Sequence, residues 1–279
     1  MRTRILFLAV IASTVISQSC KKDNAAIVPT EQDEVSTVNS ALAQLGFDTT
    51  SVIIKGDNIF VEEDIVLKKS ELFKTQPRQA VIKPNVSLPT GPWAYRLRSF
   101  TYFISNSLSN HRHVAAGMDE LRRVMPSDVA ITRVYNEAAA DLVFRGYNEV
   151  SRVCGFASWP TFNYTSLNFA NMIVGESVNI NLYNWRNLNE SQRKALIAHE
   201  VGHAIGIRHT NWRAGEQEVI PGPSGTTYGA YTVPNTNNTG TNPDPSSIFN
   251  GGSCGRSWGS GFTENDRRAI VYVSIGLTI

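Results

Sequence analysis

The stretch AHEVGHAIGIRHTNW, residues 198–212, holds three of the chain's five histidines and limits what the chain can fold into. It must begin as helix and end as something else. Just upstream, NESQRKALIAHEVGHAIG carries Ile197, Val201, Ala204 and Ile205 as an apolar stripe, and Asn189 with Gln192 three residues later forms a capping box. Gly206 is the natural exit from the helix. His199 and His203 therefore share one helix face, about 6 Å apart along the axis. Two imidazoles at that spacing can bind one metal at about 2.0–2.1 Å. Glu200 stands about 100° further round, so it is offset from the metal and placed to hold a water as general base. Gly206 also permits a backbone reversal, after which His209 can reach the same ion. Three imidazoles leave a fourth position open for water, the mark of a catalytic site, and one Zn2+ is the expected cofactor. A bare His-x-x-x-His pair is commonly two solvated histidines; five specified residues at fixed offsets on a capped helix are much harder to obtain by accident.

The remaining sequence frames that site. MRTRILFLAVIASTVISQSC has a charged start, an apolar run from Ile5 to Ile16 and then small residues, which predicts an export signal over 1–19. The run is well short of the roughly 20 residues that span a bilayer. SQSC followed by KKDN resembles the cleavage box of Bacteroidetes-type lipoproteins, and the resemblance implies a lipid on Cys20 as the membrane anchor. The expected location is the outer membrane, facing either the periplasm or the exterior. With Cys20 lipidated, Cys154 and Cys254 remain, as a disulfide in an oxidising compartment or as two buried thiols. Net charge is +2 without a basic stripe, so no nucleic-acid partner is expected.

Residues 20–50 are polar and read as a tether. In 51–92, IIKGDNIFVEEDIVLKKSEL has strand-like and then amphipathic pieces, and KTQPRQAVIKPNVSLPTGP reads as a proline-rich linker. The catalytic domain is expected over 93–279, from Trp93. WAYRLRSFTYFIS, VAITRVY and AADLVFRG are strand-like, and HRHVAAGMDELRRVM is helical, with Pro126 as its stop. In ESVNINLYN, Val178, Ile180 and Leu182 alternate with Asn179, Asn181 and Tyr183, as in a strand near a sheet edge. From Thr210 to Phe262 the chain should be irregular, and a last helix begins at Thr263 with Asp266 at its third position. His111 and His113, two apart, are expected on different helix faces in water, and Glu176 as a solvated strand-end residue.

HEVGHAIGIRH fits the H-E-x-x-H-x-x-G-x-x-H signature of the metzincin zinc peptidases. It is most similar to the bacterial dual-action HEIGH-type metallopeptidases, with Val201 in place of isoleucine. ADLVF, ESVNINLYN, RHTNW, IPG, DPSSIFNGG and the terminal helix follow the family's order over roughly 93–279, and VEEDIVL matches more weakly upstream. The resemblance implies an α+β fold: a twisted mixed sheet with two long helices, one carrying the zinc motif, then an irregular C-terminal subdomain ending in a helix. It implies a monomeric zinc endopeptidase with ligands His199, His203 and His209, Glu200 as general base, and a peptide substrate paired along an edge strand near 176–184. Three positions depart from the pattern. Phe249 stands where metzincins place the methionine of the turn beneath the zinc, Gly251 where some have a tyrosine, and Asn211 where relatives are often acidic. Tyr228 and Tyr231 are candidate oxyanion donors, with plain loop tyrosines as the simpler reading. Phe249 supports an alternative, a catalytically weak scaffold that binds peptides without cutting them. A third reading is latency, with residues before Trp93 covering the cleft and an acidic side chain such as Asp57 or Asp64 near the zinc.

Overall fold

The computed structural model describes residues 31–44, 47, 49–72, 94–108, 111–166, 169–210, 220–221, 227–228, 233, 244–251 and 261–275. The expected signal, Cys20, Trp93, Asn211, Tyr231 and Cys254 lie outside them. Along the chain run α1 (Glu31–Gln44), β1 (Ile53–Lys55), β2 (Asn58–Val61), β3 (Ile65–Lys68), α2 (Lys69–Leu72), β4 (Ala94–Leu97), β5 (Phe100–Ile104), α3 (His111–Val124) and β6 (Ile131–Arg133). They continue as β7 (Leu142–Tyr147), β8 (Gly155–Ser158), β9 (Thr161–Ser166), β10 (Phe169–Ile173), β11 (Ser177–Asn181), α4 (Leu182–Trp185), α5 (Glu190–Ala204), β12 (Ile220–Pro221), β13 (Thr227–Tyr228) and α6 (Glu264–Ile275).

The α+β architecture is as expected. One eight-stranded mixed sheet runs β1-β2-β3-β8-β11-β7-β5-β6, and β4-β10-β9 form a smaller one. Helices α3 and α5 bury Val114, Met118, Leu121, Ile197, Ala198 and Val201 in a core with Leu142, Phe144, Val178 and Ile180 of the sheet. Each of the larger side chains contributes about 1.5–3 kcal/mol when fully buried. The helices meet closely at Gly117, where a β-carbon would lie 2.7 Å from Ile197 Cγ2.

Three expectations need correcting. First, β11 is not an edge strand. It pairs in parallel with β7 (Val178↔Phe144) and antiparallel with β8 (Val178↔Ala157). Alternation reports two unlike faces, not a place in the sheet order, and the polar face here is satisfied internally. Asn181 is fully buried, yet its amide donates to Glu149 O at 2.8 Å and Val153 O at 2.9 Å. Second, residues 31–44 form a helix rather than an unstructured tether. Val38 and Leu42, one turn apart, bury against Phe47, Ile59, Val61 and Ile65 in a second apolar cluster distinct from the main core. Third, His113 is buried. Its ring packs edge-on to Trp185 at 6.2 Å and its Nδ1 lies 3.6 Å from Glu190. Burial first of all pushes its imidazole pKa down.

Candidate metal centre and active site

Helix α5 starts as the capping box requires: the Asn189 side chain accepts from Gln192 N at 2.9 Å, and Gln192 Oε1 accepts from Asn189 N at 2.8 Å. It ends at the glycine. Gly206 has φ 92°, in the left-handed region, and its N–H donates to His203 O at 2.9 Å while Ile207 N donates to Gly202 O at 2.8 Å. That reversal carries His209 back beneath the helix.

The three imidazoles converge. His199 Nδ1 donates to Ile248 O at 2.8 Å and His203 Nδ1 to Ile207 O at 2.7 Å. Those bonds place both protons on Nδ1 and leave each Nε2 with a bare lone pair. Yet His199 Nε2 lies 3.0 Å from His203 Nε2 and 3.3 Å from His209 Nε2. Lone pairs facing one another at that range have no hydrogen bond to make; they suit a cation at a common point.

A fourth donor completes the set. Asp64, in the tight turn before β3, places Oδ2 3.4 Å from His199 Nε2 and 3.2 Å from His209 Nε2, with Oδ1 3.5 Å from His203 Nε2. A regular tetrahedron with zinc–ligand bonds of 2.0–2.1 Å has edges of about 3.3–3.4 Å. The separations of 3.0–3.5 Å, those from Asp64 shared between Oδ2 and Oδ1, lie close to these edges. Asp57, the other carboxylate considered from sequence, is elsewhere: it accepts from Ser70 N and Oγ, both at 2.8 Å. Burial alone would raise the pKa of Asp64, but His209, His203 and His199 outweigh it and hold the carboxyl well below the usual range. Burial pushes His203 down to about 3, against the pull of Asp64.

Glu200 lies beside this cage and almost wholly inside the protein. Its Oε2 has no hydrogen-bond partner, and burial, then the charge of Asp64, raises its pKa well above the usual carboxylate range. Room for the carboxylate comes from Gly155 of β8, where a β-carbon would stand 2.7 Å from Glu200 Oε1. Tyr147, which the sequence reading did not single out, is also close enough to feel it: burial first, then Glu200 and Glu149, push its hydroxyl pKa up. No local motif marks Tyr147, because it reaches the site through the β7–β11 pairing.

Beneath the ligands, residues 247–251 make a turn held from α6. Ser247 Oγ donates to Asp266 at 2.5 Å, Ile248 N donates to the same carboxylate at 3.2 Å, and Thr263 and Asp266 close the expected cap with bonds of 3.0 and 3.1 Å. Phe249 is fully buried, stacked 6.0 Å from Phe262, and its ring lies flush on Gly202, leaving no space there for a β-carbon. Gly251 likewise lies against the His209 ring, with an added β-carbon 2.7 Å from Nδ1. Cys154 is disulfide-bonded. Glu176 is paired with Lys68 at 2.9 Å.

The α+β fold brings four donors, Asp64, His199, His203 and His209, together as a candidate metal centre. Residues 171–274, which span α5, the turn at 247–251 and all but the last residue of α6, match the family described as dual-action HEIGH metallo-peptidases. No curated protein matches the chain. Among solved structures, one titled "Structure of myroilysin" aligns over 65% of this chain and 94% of its own, at 12% identity and a TM-score of 0.39, and a likeness that weak carries no argument.

Proposed function

We propose that the chain is a zinc-dependent endopeptidase in which His199, His203 and His209 hold the ion and Glu200 is the general base. The observation that carries this reading is the convergence of three Nε2 atoms, those of His199 and His203 with bare lone pairs, beside a buried carboxylate with one unpartnered oxygen. When bound, zinc supplies Lewis-acid polarisation of a carbonyl and acidifies a water molecule. Glu200 takes the proton from the water that attacks the scissile carbonyl and delivers it to the nitrogen as the C–N bond breaks. Gly155 keeps the carboxylate's space clear, and the Nδ1 bonds to Ile248 and Ile207 keep the ligand rings aimed.

The substrate is a peptide in extended form, held near the metal centre by main-chain hydrogen bonds. The reading as a non-cutting scaffold finds less support, because the Phe249 ring is matched by Gly202 and both helix ligands, His199 and His203, keep their orienting hydrogen bonds. The leader and Cys20 support an exported, lipid-anchored enzyme at the outer membrane.

Stripping the metal tests the reading. Dialysis against a chelator is expected to abolish peptide cleavage, and one equivalent of zinc to restore it. Cleavage that survives chelation would refute a metal-dependent mechanism.

A further inference from the structure

We propose that Asp266, on the terminal helix α6 and outside the ligand set, is a positioning residue for the metal centre: its buried carboxylate holds both His199 and His209 in place through the turn at 247–251. This inference rests on the zinc-peptidase reading above and adds a residue that touches neither ion nor substrate.

Asp266 stands where a capping box requires it. Its N–H donates to Thr263 Oγ1 at 3.1 Å, and its Oδ2 accepts from Thr263 N at 3.0 Å. A cap needs no more than that, and a carboxylate on a helix end ordinarily faces water. This one is 2% exposed. Burying a charge is costly unless hydrogen-bond donors meet it. The donors beyond the cap both come from the turn: Ser247 Oγ donates to Oδ1 at 2.5 Å and Ile248 N to Oδ2 at 3.2 Å. Capping therefore explains half of what the side chain does.

The other half runs to the ligands along two branches. In the first, the residue whose N–H Asp266 holds is the one that orients a ligand: Ile248 O accepts from His199 Nδ1 at 2.8 Å. In the second, Ser247 Oγ spends its single proton on Asp266, so its remaining contacts are acceptances. They come from Phe249 N at 3.1 Å and Thr210 Oγ1 at 2.8 Å. Thr210 follows His209 directly, and its own N–H donates to Phe249 O at 2.9 Å. The fully buried hydroxyl is thus saturated, with one bond donated and two accepted, and the carboxylate sets its direction. Asparagine at 266 would cap α6 with one oxygen but offer Ser247 an N–H in place of an acceptor, forcing the Ser247–Thr210 bond to reverse. Orientation of ligand rings by such outer partners governs how tightly a metal is held.

Zinc affinity, from competition with a chromophoric chelator, and the visible bands of the Co2+-substituted full chain test this in Asp266→Asn, Ser247→Ala and Thr263→Ala. The first two variants are expected to bind zinc about 10–100-fold more weakly than wild type and to shift the Co2+ bands. The double variant Asp266→Asn/Ser247→Ala is expected to bind no more weakly than the worse single one, because both changes break the same hydrogen bond. Thr263→Ala removes the cap's hydroxyl but no contact of the turn. It is expected to unfold at lower denaturant with wild-type zinc affinity and bands. Wild-type affinity and bands in Ser247→Ala would overturn the positioning role, and that variant decides alone should Asp266→Asn fail to fold. Equal weakening of zinc by Thr263→Ala would reduce Asp266 to a helix cap and overturn the role as well. Neither result touches the peptidase reading. Absence of bound zinc in the wild type would instead overturn that reading, and the positioning role with it.

Discussion

Glu200→Gln is expected to lower peptide hydrolysis by about 10²–10⁴-fold, the range in which a general acid–base contributes, with one zinc still bound. The carboxylate is not one of the four converging donors, so the metal loses no ligand. Glutamine fills the same space against Gly155 and keeps the helix packing. What disappears is the capacity to accept a proton. Steady-state rates measured beside the zinc content of the same preparation separate the two effects. Loss of zinc together with activity would mean Glu200 supports the site structurally; retained turnover would remove it from the mechanism.

Phe249→Ala is expected to destabilise the fold by about 3–5 kcal/mol, as for other buried aromatic truncations, and to weaken zinc binding by about 10–100-fold. The ring fills the floor under α5 between Gly202 and Phe262. Its neighbour Ile248 supplies the carbonyl that fixes His199. Collapse of the turn therefore disturbs His199 through its hydrogen-bond partner. Gly202→Ala is the converse change, an overpacked floor costing about 1–3 kcal/mol. Chemical denaturation of the zinc-loaded proteins and competition with a chromophoric chelator measure the two quantities. A Phe249→Ala protein with wild-type stability would show that this floor is not packed as described.

The metal helix was legible because its information is local. Cap, stripe, breaker and ligand spacing all fall within residues 189–209, where helix geometry alone decides which side chains share a face. The terminal helix was legible for the same reason, through Thr263 and Asp266. The sheet was less so. Whether a strand is central or lateral depends on partners far along the chain, and β11 looked lateral because Asn179 and Asn181 are polar. Helix α1 was hidden by a polar composition in which only Val38 and Leu42 need face inward. Asp64 stands 135 residues before His199, and its arrival at the histidines is set by a hairpin turn and by Arg208. No spacing rule joins them. Sequence could name it as one of two acidic candidates, but choosing it over Asp57 required the tertiary arrangement.

The most direct test of the central claim is digestion of an unbiased peptide library by the zinc-loaded chain, with Glu200→Gln beside it, read by mass spectrometry of the new termini. The account predicts internal cleavage by the first protein, silenced by chelation, and none by the second. One zinc bound per chain with no new termini from either protein would contradict it.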